Sequence, residues 1–222
     1  MSGRPNLTDC GLFGLNSIPY GLHMCHFYER QEDLAAALVP YFTAGLSSNE
    51  RCIWITADPL DAASAGEALG KAGLDVSSLI RSGMLVIRDH GDWYGAIDNS
   101  KLEAILDIWL EAERQALADG CNGLRIAGNT SFVTAADWAG FMRYEKGFND
   151  ALANRRIVTL CSYRLGQCTA TDLLDVARRH HCMLDRSERD WQVVTTRDGS
   201  LRNFIAPGGT FRMDPEPEIQ PL

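Results

Sequence analysis

The run LHMCHFYERQEDL, residues 22–34, concentrates two histidines, a thiol, a tyrosine and three carboxylates, with no glycine among them. Thiolate and imidazole together suit Zn²⁺ or Cu(I). His23 and Cys25, joined by Cys161 or by a member of the HHC triplet at 180–182 such as His180, therefore form a candidate metal or haem set. The spacing matches no standard zinc framework, and no C-x-x-C pair is present. A second reading is a pocket for a small or soft ligand, built from His23, Cys25, His26, Tyr28 and Glu32 with Trp93, Cys161 and Tyr163 as neighbours. A Cys–His nucleophile pair is a third reading, although nothing local marks a thiol as exposed and electropositive. The plain alternative is a buried strand with a satisfied histidine and small apolar thiols.

The surrounding pattern is one of strands running into helices. Residues 22–28 alternate as a strand, which puts His23, Cys25 and Phe27 on one face and His26 and Tyr28 on the other. Residues 32–46 have helical spacing at Leu34, Leu38, Tyr41 and Phe42, with Pro40 predicting a kink or two shorter helices. Strands are expected at 51–57, 84–89, 123–128 and 156–163, and helices at 58–73, 100–120, 134–154 and 169–181. Asp58 with Pro59, Ser100, Thr134 and Thr169 or Thr171 are the expected helix starts. Residues 191–207 read as a hairpin around Asp198–Gly199. Repeated strand–helix alternation predicts an α/β fold, a mainly parallel sheet with helices on both faces and a C-terminal β-hairpin. The expected organisation is an N-terminal extension at 1–17, one domain at 18–207 and a disordered Pro- and Glu-rich tail at 208–222.

Ligands of such folds sit beyond the carboxyl ends of the strands, here residues 26–32, 57–59, 88–94, 128–132 and 163–169. A phosphate loop needs glycines, a Lys and a Ser/Thr at the first of these. This chain has ERQED there, and the strand LRIAGN lacks a terminal Asp for Mg²⁺. Glu29, Glu32 and Asp33 instead suit the positive end of the helix that follows. Neither a dinucleotide fingerprint nor a G-x-S-x-G elbow occurs. RDHGDWYG (88–95) supplies aromatics for a pocket wall or a lid, and Asn129, Thr130 and Ser131 either bind a ligand or start the next helix.

The 222 residues carry a net charge of −8, which argues against direct nucleic-acid binding. There is no signal-peptide pattern and no membrane-length apolar run. Seven cysteines without framework spacing read as free thiols in a cytoplasmic protein.

The stretch at 21–33, with Gly21, His23, Cys25, Phe27 and Tyr28 followed by Glu32–Asp33, resembles the opening signature of the methanogen/methylotroph DcmR sensory (MEDS) domain. GLRIAGNTSF, the Tyr144–Glu145 pair and LCSYRLGQCTATDLLDVARRHHCML resemble later blocks of that family, so the resemblance spans about residues 18–195. It implies a RecA/KaiC-like fold with an eroded phosphate loop and a sensory rather than catalytic role. It further implies a small-molecule stimulus, such as a halogenated methane or methanol. Members occur alone or joined to histidine kinases or helix-turn-helix transcription regulators. This chain shows neither attachment, so its output is expected to pass through such a partner or through a homo-oligomer. Alternatives are a metal- or haem-binding redox sensor and a residual nucleotide-binding protein.

Overall fold

The computed structural model describes residues 6–94, 102–187 and 190–196. Two short strands, β1 (Leu7–Asp9) in the segment expected to be an extension and β2 (Ser17–Pro19) at its boundary, pair with each other. The main sheet begins with β3 (His23–Tyr28), followed by α1 (Gln31–Ser47), β4 (Glu50–Thr56), α2 (Ala62–Lys71) and α3 (Val76–Arg81). Then come β5 (Leu85–Asp89), α4 (His90–Tyr94), α5 (Leu102–Ala118), β6 (Gly123–Asn129), α6 (Trp138–Ala151) and β7 (Ile157–Arg164). The described chain closes with α7 (Ala170–Arg179), β8 (Cys182–Ser187) and β9 (Asp190–Thr196). The sheet order is β5-β4-β6-β7-β3-β8-β9, parallel throughout except for the β8–β9 hairpin.

Strands buried on both faces read as continuous apolar runs, and two separate cores explain this here. On one face Leu34, Leu38, Tyr41 and Phe42 of α1 pack on Met24, Trp54, Ala127 and Leu160, with Cys10, Leu12 and Ile18 of the N-terminal segment closing the edge. On the other face Trp109 of α5 and Tyr144 and Phe148 of α6 cover Ile53, Ile55 and Ile126. Beside them Cys25, Cys161, Tyr163, Met142 and Val176 form a smaller cluster under α6 and α7.

The N-terminal segment is tied down by one buried cation. Arg125 Nε donates to Glu50 Oε2 at 2.6 Å, and its terminal nitrogens donate to the carbonyls of Cys10, Tyr41 and Asp9. Both charged side chains are fully buried, so their pairing offsets a desolvation cost of several kcal/mol per ion. Gly45 makes room for this, since a Cβ there would overlap Arg125 Nε.

Several local expectations are corrected. Pro40 leaves α1 as one unbroken helix. The helix expected from Asp58–Pro59 starts at Ala62, capped by Asp61, which accepts from Ser64 N at 2.7 Å. Asp58 is occupied elsewhere, its carbonyl accepting from Asn129 and Ser131. Thr134 does not cap α6 directly; it accepts from Asp137 N one turn before the helix begins. Thr169 does cap α7, accepting from Asp172 N while Asp172 accepts from Thr169 N. The C-terminal hairpin is formed by β9 pairing antiparallel with β8, a strand not foreseen. Asp198–Gly199, Ser100 and the 208–222 tail lie outside the described residues. None of the described helices is long and apolar enough to cross a membrane.

Candidate functional site

The junction after β3 is only two residues long, Glu29 and Arg30, before α1 begins at Gln31. A backbone cradle for phosphate needs a longer Gly-rich turn. Here the helix N-terminus is served internally, with Asp33 Oδ2 accepting from Arg30 N at 3.0 Å. The end of β6 is equally committed. Asn129 Nδ2 donates to the Ala57 and Asp58 carbonyls, and its oxygen accepts from Tyr28 OH at 2.8 Å.

Strand alternation divides the expected pocket residues between the two faces of the sheet. His26 and Tyr28 face α1. His26 Nε2 lies 2.7 Å from Ser162 Oγ, its ring sits edge-on to Trp191, and burial lowers its pKa to about 4. Glu32 is exposed on the first turn of α1. Trp93 stacks on Trp109 at 5.2 Å, at the far side of the sheet from His26. Cys25 donates to the Cys182 carbonyl across the β3–β8 pairing. None of these five contributes to the cluster that forms on the α6–α7 face.

That cluster joins four buried groups from four elements: His23 from β3, Cys161 from β7, Glu145 from α6 and His180 from the end of α7. His23 Nε2 lies 3.3 Å from Cys161 Sγ and 3.2 Å from Glu145 Oε2. His180 Nε2 lies 3.4 Å from the same Glu145 oxygen. Register explains the first pair, because β3 and β7 run side by side with His23 opposite Thr159 and Cys25 opposite Cys161. The His180 ring is oriented by its own helix, Nδ1 donating to the Val176 carbonyl at 2.8 Å. Asn149, one turn after Glu145, hydrogen-bonds the His23 ring. The Tyr163 ring stands edge-on to His180, and its buried hydroxyl has no partner.

Burial dominates the electrostatics. It lowers His23 and His180 to about 3, and it raises Glu145 to about 7 despite the opposing pull of His180. The Cys161 thiol is pushed well up for the same reason. The imidazole–carboxyl contacts are thus between neutral rings and a carboxyl poised between its two forms, not fixed ion pairs. Glu145 Oε2 and His180 Nε2 are buried without a hydrogen-bond partner.

Glu145 and Cys161 also border a cavity of about 30 Å³ between the sheet and helices α5 and α6. Its walls are aromatic, with Tyr94, Trp109, Phe132, Phe141, Tyr144 and Phe148 around Ile55 and Ile126. Thr130, Thr159 and Asn129 add polar edges, and Gly128 leaves one side bare. The Thr159 hydroxyl is buried and unpartnered. Sequence reasoning missed Glu145 and Thr159 as site residues, whereas Tyr94 and Gly128 lie in the 88–95 and 128–132 segments it marked. Glu145 carried a readable signal: it sits at helical spacing between the apolar Phe141, Met142 and Phe148.

The sheet order and the two helical layers define a KaiC-like fold, and solved structures agree. A KaiC-like protein from the hyperthermophilic archaeon Pyrococcus horikoshii OT3 superposes with a TM-score of 0.58 at 11% identity, covering 86% of this chain and 89% of that one. The flagellar accessory protein FlaH from Methanocaldococcus jannaschii gives 0.53 at 13% identity, covering 82% of each chain. Within that fold class, the chain belongs to the methanogen/methylotroph, DcmR sensory domain (MEDS) family, whose model matches residues 22–181. This is a family of sensory domains. No curated protein matches the sequence significantly.

Proposed function

We propose that the chain is a non-enzymatic cytoplasmic sensor that takes up a very small, largely apolar molecule in the cavity under α5 and α6. The observation that carries this reading is the pairing of aromatic walls with two buried, unpartnered oxygens, Glu145 Oε2 and Thr159 Oγ1. Ligand sites combine an apolar lining with a few convergent polar groups in this way. The volume sets the ligand's size. A single water needs at least about 10–15 Å³ by this kind of measure, so about 30 Å³ admits one or a few heavy atoms. A methanol or a halogenated methane is of that order. A nucleotide or a porphyrin is far too large for this cavity.

The two-residue β3–α1 junction and the committed Asn129 support a reading without ATP chemistry. The seven free cysteines, six of them buried, suit a reducing compartment. Output would pass to a signalling partner such as a histidine kinase or transcription regulator, or through self-association. For that, ligand must favour one of two conformations, by ~1–3 kcal/mol for useful coupling. The test is thermal unfolding of the full chain against a panel of one- and two-carbon alcohols and halides. A stabilisation that saturates, following the logarithm of ligand over Kd, is expected for at least one class. A flat or purely destabilising response across the panel would remove the reading.

A further inference from the structure

The geometry points to a metal site: His23 Nε2, Glu145 Oε2, Cys161 Sγ and His180 Nε2 form a convergent four-donor set for a divalent transition metal, Zn²⁺ fitting best. The donor atoms all lie within 4.8 Å of one another. Zinc bonds of roughly 2.0–2.3 Å at tetrahedral angles place neighbouring donors about 3.3 Å apart for N and O, and about 3.6 Å apart for N and S. The two nitrogen–oxygen contacts of 3.2 and 3.4 Å match those edges, and the His23–Cys161 contact of 3.3 Å is slightly shorter than its edge.

Donor chemistry supports the same conclusion. The Val176 carbonyl can only accept, so His180 Nδ1 must carry the proton toward it. A neutral His180 then presents a lone pair from Nε2 toward Glu145 Oε2, and neither atom has a hydrogen-bond partner. Whenever that carboxyl is ionised, two lone pairs face each other in a buried site, which is costly unless a proton or a metal ion lies between them. Metal-bound histidines characteristically donate their other ring nitrogen to a carbonyl or similar acceptor. His180 does so to Val176, and His23 is hydrogen-bonded by Asn149. A thiolate and a carboxylate would neutralise a divalent ion, and two imidazoles would complete four-coordination. Among the described residues no other set of three such side chains converges. Cys25, one residue from His26 and on the same face as His23, lies outside the set, its thiol turned to the Cys182 carbonyl.

This inference concerns the same pocket as the proposed ligand site but stands apart from it, since Glu145 and Cys161 can hold a metal whether or not the cavity takes a small molecule. The test uses the full chain purified without chelators, with metal content measured by mass spectrometry. A chelator-stripped sample is then titrated with Zn²⁺ and, separately, Co²⁺. Near one equivalent of bound metal is expected. The Co²⁺ form should show intense tetrahedral d–d bands and a thiolate-to-cobalt charge-transfer band. Cys161→Ser should abolish the charge-transfer band, Glu145→Gln should weaken Zn²⁺ binding at least tenfold, and Cys168→Ser, which removes a thiol outside the set, should change neither. Circular dichroism confirms that each variant is folded. A folded wild type that binds neither ion saturably overturns the site, as does a charge-transfer band that survives Cys161→Ser. Because no small molecule is present, such a failure leaves the cavity reading intact. Conversely, a folded protein that binds neither ion but is still stabilised by a small ligand would sink only the metal site.

Discussion

Gly128 lies two residues after Ile126 on β6, so a side chain placed there would point with Ile126 into the cavity. A Cβ built on it meets no heavy atom within 4 Å. Gly128→Ala should therefore be tolerated and even favourable. Removing a glycine at a compatible backbone position stabilises by about 0.4–1 kcal/mol through the unfolded chain, and burying the new methyl adds up to about 0.8 kcal/mol. For a chain of this size 1 kcal/mol moves Tm by about 2–4 °C, so a small rise in Tm is expected without ligand. A methyl takes up much of a space of about 30 Å³, and Gly128→Val should fill it entirely at an overpacking cost of about 1–3 kcal/mol. At ten times Kd the ligand contributes about 1.4 kcal/mol to the wild type. That increment should shrink in Gly128→Ala and vanish in Gly128→Val, as read by urea unfolding with and without dichloromethane. An undiminished ligand increment in Gly128→Val would refute the reasoning. So would a loss of more than about 1 kcal/mol in ligand-free Gly128→Ala, because it would mean the Cβ does not enter empty space.

Three further outcomes follow from the buried polar groups. Arg125→Ala strands Glu50 in the interior and should cost about 3–5 kcal/mol in urea unfolding, with protease cutting near Asp9 and Cys10 as the N-terminal segment loosens; replacing both partners by apolar residues should recover part of the loss. Asn129→Asp exchanges a donor for a carboxylate facing the Ala57 and Asp58 carbonyls, so it should cost about 1–3 kcal/mol and still yield no saturable heat with Mg-ATP in calorimetry. His26 is held neutral by burial, its pKa falling from 6.5 to about 4. Its contribution to stability is complete above pH 6.5 and is lost as pH falls toward 4, because the unfolded state then binds the extra proton. A folded His26→Gln variant should show a stability–pH slope smaller by about one proton, about 1.36 kcal/mol per pH unit, across that window; an unchanged slope would count against the assignment.

The parallel sheet, its helices on both faces and the two-sided character of HMCHFY were legible because periodicity is local. Period-two alternation alone separated His23 from His26. The cluster was not legible as a whole, because Glu145 reaches it only when α6 packs across β3 and β7, more than 100 residues along the chain from His23. A carboxylate within an apolar helical stripe was the available clue. Cys25 and Cys161 looked equivalent as thiols, yet only the pairing register decides which one meets the His23 ring. The late start of α2 escaped for a similar reason: Asp58 looked like a cap, but Asn129 and Ser131 claim its carbonyl from another strand end. Strand β8 follows α7 after only two residues and is partly charged, so its sequence carries little strand signal by itself.

The most direct measurement of the central claim is a heteronuclear NMR titration of the full chain with dichloromethane and, in parallel, methanol. The account predicts saturable shifts, for at least one of them, in the Trp109 indole and the amides of Gly128, Thr159 and Cys161, all of which border the cavity. It predicts no saturable shift at the exposed Leu174 on α7. Shifts that grow linearly without saturation, or that appear at exposed positions while the cavity residues stay still, would contradict it.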